Sequence, residues 1–316
     1  MAMSNLTTRV LVALVGIPVV VGATLAGGYV FFAFVLAVSL LALLEFYAMA
    51  RARGAFPQTV SGFLIGLLMV PVFLYDRLHR VIVGAFLDAG IAVPFPGMAQ
   101  EFLMLLMAAV PLIMVVELFR GKPNALYNIA VTIMGTMYVS VFFGSLVGLR
   151  ELFVPADFPV YLHFSGVGPG VPDATAATIY WWGGWTVLAI FVSIWVCDSA
   201  GYFAGRAFGR HKLFERVSPK KTWEGAIAGF AGAIAAFLLM RMLVLPYLTI
   251  GQSLVCGVIV GVFGQLGDLV ESLLKRDAGV KDSSSLIPGH GGVLDRFDSI
   301  MFVSPLLFLY LDFVVF

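Results

Sequence analysis

Acidic side chains in the last third of this chain stand where a lipid-embedded helix tolerates them least. In GQLGDLVESLLKRD, residues 264–277, Asp268, Glu271, Ser272 and Lys275 occupy positions i, i+3, i+4 and i+7. That spacing places all four on one helical face. Lys275 and Arg276 mark the end of the apolar run, which sets Asp268 roughly 10 Å deeper at about 1.5 Å per residue. Asp198, in VCDSAGYFAGRAFGR (196–210), precedes its first basic residue Arg206 by a similar interval. Two helices thus present carboxylates at about the same depth. Each costs roughly 2.5–3.5 kcal/mol to bury there and needs a partner. One reading of the set is helix-packing glue neutralised by nearby Lys or Arg. The other is that the carboxylates share a cation.

Two basic loops add to the set. The stretch LIPGHGGVLDRFDS, 286–299, holds His290 among glycines that let backbone approach a ligand, followed by Asp295, Arg296 and Asp298. In HKLFERVSPKKTWEG, 211–225, Ser218-Pro219 predicts a helix N-cap with proline in the first turn. Lys220 and Lys221 beside free N–H groups would make an anion site; positive-inside anchoring is the simpler alternative. Hard carboxylates, clustered cations and flexible glycines together suit oxygen-ligated Mg²⁺ and phosphates. Phosphoryl or nucleotidyl transfer is mainly charge neutralisation and alignment. The chain lacks GxxxxGK[ST], GxGxxG, CxxC and HExxH patterns, so a P-loop, a Rossmann turn and those zinc sites are not expected.

The elements that must position these residues are membrane spans. The 316 residues are 61% hydrophobic and 12% charged, with mean hydropathy +1.01, which no soluble core requires. About 20 apolar residues cross the hydrocarbon. Nine spans are predicted, at 10–26, 29–49, 57–75, 99–119, 125–149, 179–199, 225–246, 249–273 and 299–316. The expected fold is therefore an all-α integral membrane protein, the first helix being retained rather than removed as a signal peptide. Residues 1–178 would form a scaffold and 179–316 a catalytic region with two basic loops. Of 19 Lys and Arg residues, 15 fall on one side if the N-terminus is cytoplasmic, with Arg77, Arg80 and Arg150 outside and Arg241 within a span. The positive-inside rule then places the C-terminus outside. The 150–178 loop reads as outer structure without chemistry, leading into an aromatic belt at Trp181, Trp182 and Trp185. Cys197 and Cys256 read as small core residues. Gly225-x-x-x-Gly229 and Gly257-x-x-x-Gly261 read as packing seams. Net charge is +1, so nucleic acid is not an expected partner. A site this close to the interface suits a phosphate carried on a lipid, met by a soluble nucleotide.

One longer pattern carries a resemblance. Ser272-x-x-Lys275-Arg276, Lys281-Asp282 and Pro288-Gly289-His290-Gly291-Gly292-x-x-Asp295-Arg296-x-Asp298 resemble the signature of phosphatidate cytidylyltransferases, also called CDP-diacylglycerol synthases. Upstream, Asp198, Gly201-Tyr202, Gly205-Arg206, Phe208-Gly209 and Ser218 to Gly225 are similar as well. The resemblance is strong over 179–300 and extends to the earlier spans only in hydrophobicity and number. It implies an enzyme of phospholipid biosynthesis that transfers CMP from CTP to phosphatidic acid with release of pyrophosphate. It also implies Mg²⁺, an associated monovalent cation such as K⁺, a homodimer, and residence in a bacterial inner membrane with a cytoplasmic active site. Asp268 and Asp295 are implied as metal ligands; the residues alone agree on Asp268 and leave Asp295 and Asp298 undecided. The expected phosphate clamps are Lys220, Lys221, Lys275, Arg276, Lys281 and Arg296. Ser218 would help bind substrate, His290 would contact phosphate or cytidine, and Asp198 and Asp298 would orient these groups or hold the second cation. The rivals are an ion-coupled transporter and a CTP-dependent lipid-alcohol kinase.

Overall fold

The computed structural model of the chain describes residues 5–91, 95–153 and 173–316. Its elements run α1 (Asn5–Ala26), α2 (Gly28–Ala52), α3 (Thr59–Val72), α4 (Tyr75–Asp88) and α5 (Met98–Arg120). They continue with α6 (Ala125–Glu151), α7 (Asp173–Phe208), a hairpin of β1 (Lys212–Phe214) and β2 (Ser218–Thr222), α8 (Trp223–Val244), α9 (Ile250–Asp277) and α10 (Leu294–Val315). Helix is what an apolar run must adopt in lipid, because all its backbone polar groups are then satisfied within the segment.

Among the described residues eight helices are long and apolar enough to cross a membrane, or nine if α3 and α4 count as one bent pair. The expected span 57–75 begins that pair. With 14 residues, α3 reaches only about 21 Å against a hydrocarbon core of about 30 Å. Pro71 lies in its last turn, and the chain bends by 87° into α4. Asp76, Arg77 and Arg80 share α4 with exposed Ile82, Phe86 and Leu87, which is the make-up of a helix lying along an interface.

The two helices that flank the hairpin touch through glycine. Gly201 and Gly205 on α7 face Gly225 on α8, and Gly229 sits against the Cys197 backbone. The Gly225 and Gly229 seam is therefore within one chain, and Gly257 and Gly261 likewise pack on Ile234 and Phe230 of α8. A Cβ on Gly229 would come 2.9 Å from the Cys197 carbonyl oxygen, so backbone must move to admit one. Gly229→Val is expected to cost about 1–3 kcal/mol of stability, read as a lower thermal midpoint in detergent.

At the end of the bundle away from the hairpin, Arg150 is fully buried rather than a loop cation. It donates to the carbonyls of Thr24 (2.7 Å), Leu25 (3.3 Å) and Tyr180 (3.2 Å), capping the C-terminus of α1. Glu151 beside it accepts from the Gly28 amide (2.9 Å), the Tyr180 hydroxyl (3.2 Å) and Arg77. Arg77 and Arg150 both lie over the Tyr180 ring. The rest of the 150–178 segment, expected to be outer structure without chemistry, lies mostly outside the described residues. Of the proposed aromatic belt Trp181 is exposed, while Trp182 and Trp185 pack against the core, with Trp182 stacked on Tyr247. Both cysteines are buried and free.

Candidate active site

Three differences in local structure shape the site. First, α7 does not stop near residue 199 but runs to Phe208, so Asp198, Gly201, Tyr202, Gly205 and Arg206 share one helix. Second, Ser218-Pro219 is not a helix start. Residues 218–222 form strand β2, with Phe214 opposite Ser218 and Lys212 opposite Thr222. The N-cap of α8 is Thr222, extended at φ −127° and ψ 156°, whose hydroxyl accepts from the Gly225 amide at 3.2 Å. A β-branched residue at the end of a strand is at home in that conformation, and it outcompetes the Ser-Pro signal four residues earlier. Lys220 and Lys221 thus approach the helix N-terminus from a strand. Third, α10 begins at Leu294, so Asp295, Arg296 and Asp298 belong to a helix's first turns and not to the glycine loop.

These elements enclose a cavity of about 470 Å³ lined by Asp198, Arg206, Lys220, Lys221, Gln265 and Asp268, with Cys197, Tyr202, Leu213 and small residues between them. Lys221 pairs with Asp268 at 2.7 Å, and Ser272 donates to the other Asp268 oxygen at 3.3 Å. The charges of Asp198, Asp268 and Asp298 act on one another, with Lys221, Lys275 and Arg296 in electrostatic reach. Asp298 accepts the Ser299 amide at 2.7 Å. The carboxylates of Asp198 on α7 and Asp268 on α9, read from the sequence at matching depth, therefore come together, and Asp298 of α10 joins them.

Asp295 is placed differently. Its Oδ1 accepts from Lys275 at 2.6 Å. Its Oδ2 accepts from the Ser283 amide and hydroxyl, both at 2.9 Å, and from the Gly292 amide at 2.7 Å. Lys275 also pairs with Glu271, one helical turn back on the same face, and both acids are buried. The glue reading thus describes Lys275 and Glu271, while Asp268 keeps a third of its side chain open at 35% exposure.

A second cavity, about 560 Å³, is walled by Lys281, Asp282, Ser284, Ser285, His290, Arg296 and, from α1, Arg9. Arg9 donates to the Gly289 carbonyl at 2.9 Å. Gly289 and Gly291 have φ of +74° and +84°, a left-handed region that favours glycine. They fold 287–291 into a turn closed by Ile287 N–H to the Gly291 carbonyl at 2.8 Å. Arg296 lines this cavity and also acts electrostatically on Asp198 in the first, so it stands between the two.

Of the twelve residues singled out from the sequence, the first cavity gathers Asp198, Asp268, Lys220 and Lys221. The second gathers Lys281, His290 and Arg296. Lys275, Asp295 and Asp298 are in neither lining; Lys275 pairs with Asp295, and Asp298 is within electrostatic reach of Asp198, Asp268 and Lys275. Ser218 and Arg276 line neither cavity; Arg276 donates to the Val280 carbonyl at 3.1 Å and closes the end of α9. Two residues at the site escaped the sequence reading: Arg9, taken only as a topology marker, and Glu45 on α2, which binds the 283–294 loop. Glu45 was visible by the argument used for Asp268, a carboxylate inside LLALLEFYAMARA six residues before Arg51.

Among the described residues no three His, Cys, Asp or Glu side chains are gathered closely enough to hold a metal ion by themselves. Such a donor set fits a cation that takes one or two carboxylates from protein and its remaining ligands from phosphates and water, as Mg²⁺ commonly does.

The chain is similar to proteins of known kind. The model of the cytidylyltransferase family matches residues 7–314. A phosphatidate cytidylyltransferase of Synechocystis is 32% identical over 305 residues, 96% of each chain. The chloroplastic phosphatidate cytidylyltransferase 5 of Arabidopsis thaliana is 36% identical over 299 residues, covering 92% of this chain and 67% of that one. A phosphatidate cytidylyltransferase of Staphylococcus epidermidis is 49% identical over 121 residues, 38% of this chain and under half, 46%, of that protein's length. With a family model spanning nearly every residue and a relative aligned end to end, the chain belongs to the cytidylyltransferase family.

Proposed function

We propose that this chain transfers CMP from CTP to phosphatidic acid, yielding CDP-diacylglycerol and pyrophosphate, with Mg²⁺ bound at Asp268. The observation that carries the reading is the convergence of Asp198, Asp268 and Asp298, on helices long and apolar enough to cross a membrane, beside Lys220, Lys221 and Arg296. An oxygen of the phosphatidate phosphate attacks the α-phosphorus of CTP. A new P–O bond forms and the bond from that phosphorus to the bridging oxygen breaks, releasing pyrophosphate. No strong base is required, because a phosphate monoester is already anionic near neutral pH.

Lys220, Lys221 and Arg206 line the cavity between α7 and α8 and hold the lipid phosphate there, with the acyl chains in the bilayer. Lys281, His290, Arg296 and Arg9 meet the nucleotide in the loop-walled cavity. Arg296, between the two, is placed to bind phosphate from either side. Bound Mg²⁺ neutralises phosphate charge; Asp268 is the ligand that accessibility favours, with Asp198 and Asp298 orienting the cations or holding the associated K⁺. Asp295 would join as second ligand in exchange for the Lys275 ammonium now at its Oδ1. In this reading residues 179–316 carry most of the chemistry, and the site faces the cytoplasm of a bacterial inner membrane. The charge count and bacterial relatives support that placement, and the resemblance carries the homodimer.

The test is product analysis with purified protein, phosphatidate in mixed micelles and CTP labelled at either the α- or the γ-phosphorus. The α-label is expected in the lipid fraction and the γ-label in pyrophosphate. Label from the γ-position in lipid, with CDP released, would instead identify a kinase and overturn the reading.

A further inference from the structure

Glu45 lies in the interior of α2, more than 230 residues before the loop it touches, and is 6% exposed. Its Oε1 accepts from the Ser284 hydroxyl (2.6 Å) and the Val293 amide (2.9 Å). Its Oε2 accepts from the Ser283 hydroxyl (2.9 Å) and the Leu294 amide (2.8 Å). Two of these donors open the loop that walls the second cavity and two close it. The Ser283 hydroxyl oxygen lies 2.9 Å from both Glu45 Oε2 and Asp295 Oδ2 and shares its one proton between them, so the two carboxylates stand side by side across the neck of the loop. The same contacts supply the N-terminus of α10 with a charged cap, since Val293 and Leu294 are its first N–H donors. Space at the neck is filled, because any side chain at Gly292 would run into Ser283 and Glu45.

We propose that Glu45 is a positioning residue for the transfer reaction: it pins both ends of the 283–294 loop and thereby fixes the distance between that loop's nucleotide-facing side chains and the carboxylates on α10. This rests on the reading that the loop belongs to the active site. A carboxylate is needed because all four partners donate to it, and two of them are backbone amides that cannot turn round to accept. Glutamine keeps the length but points an NH₂ group at Val293 or Leu294, leaving one amide unbonded; aspartate is one methylene too short to reach both ends. A displacement of about 1 Å at such a site costs on the order of a hundredfold in rate.

The experiment compares Glu45→Gln, Glu45→Asp and, as control, Glu117→Gln. Glu117 is an equally buried acid on α5 that binds Gln58, Asn128 and Arg120 and is hydrogen-bonded to no residue of the loop. For each, kcat and KM for CTP are measured per folded molecule. A second readout is the maleimide labelling rate of a cysteine placed at Ser285, the residue that follows the pinned Ser284. Positioning predicts that Glu45→Gln and Glu45→Asp lower kcat about ten- to a hundredfold beyond Glu117→Gln and raise the labelling rate several-fold. A purely structural role predicts losses that match Glu117→Gln and an unchanged labelling rate, which would overturn the proposal. The labelling readout needs no turnover, so it separates failure of the Glu45 assignment from failure of the reaction reading.

Discussion

Asp268→Asn is expected to lower turnover by about a hundredfold to a thousandfold, the scale seen when one preorganised charge-stabilising group is removed. Asparagine has nearly the same shape and still accepts from Ser272, so the fold should survive. Removing one of three mutually repelling carboxylates even relieves electrostatic strain, while Lys221 loses its 2.7 Å partner but keeps partial contact with water. The measurement is kcat at saturating CTP and phosphatidate across a titration of Mg²⁺. If Asp268 holds the cation, the half-saturating Mg²⁺ concentration rises as turnover falls. Near-parent turnover with an unchanged Mg²⁺ dependence would remove Asp268 from the reaction.

The second large effect is expected at Lys275, whose ammonium lies between two buried acids from different helices, Glu271 and Asp295. Lys275→Met keeps the aliphatic stem and deletes the only charge within ion-pairing reach of either acid among the described residues. Leaving buried charge unpaired costs about 3–5 kcal/mol, enough to abolish accumulation of a marginally stable protein. Combining Lys275→Met with Glu271→Gln removes one of the stranded acids and should restore part of the stability but not the activity, because the neck at Asp295 still lacks its cation. Thermal midpoints of the two single variants and the double form a cycle that isolates the pairing. Additive losses would show that Lys275 and Glu271 do not act as a pair.

The spans were legible because lipid imposes a simple demand. Predicted and observed helices agree within a few residues for α2, α5, α6 and α8, each a run of apolar residues bounded by charge or glycine. The departures have identifiable causes. α3 and α4 are a bent pair because Pro71 sits in a last turn and charged residues follow it. Ser218-Pro219 imitates a helix start, but pairing with β1 takes those residues into a strand and leaves Thr222 as the cap. α10 begins early because its first amides are satisfied by Glu45, a partner no local pattern reveals. At the site, the i, i+3, i+4, i+7 face of α9 foretold the Asp268, Ser272 and Glu271, Lys275 contacts. Which carboxylate remains open was not legible, since Asp295 is closed off by donors from the folded loop, which no local pattern reveals, while Asp268 receives none from it.

Arg150, on α6, binds the carbonyl end of α1 and the Tyr180 carbonyl of α7 at one point, with Glu151 and Arg77 bracing it. The three helices are thus tied together at that end, and Asp198 lies 18 residues beyond Tyr180 on α7, roughly 27 Å along the axis at about 1.5 Å per residue.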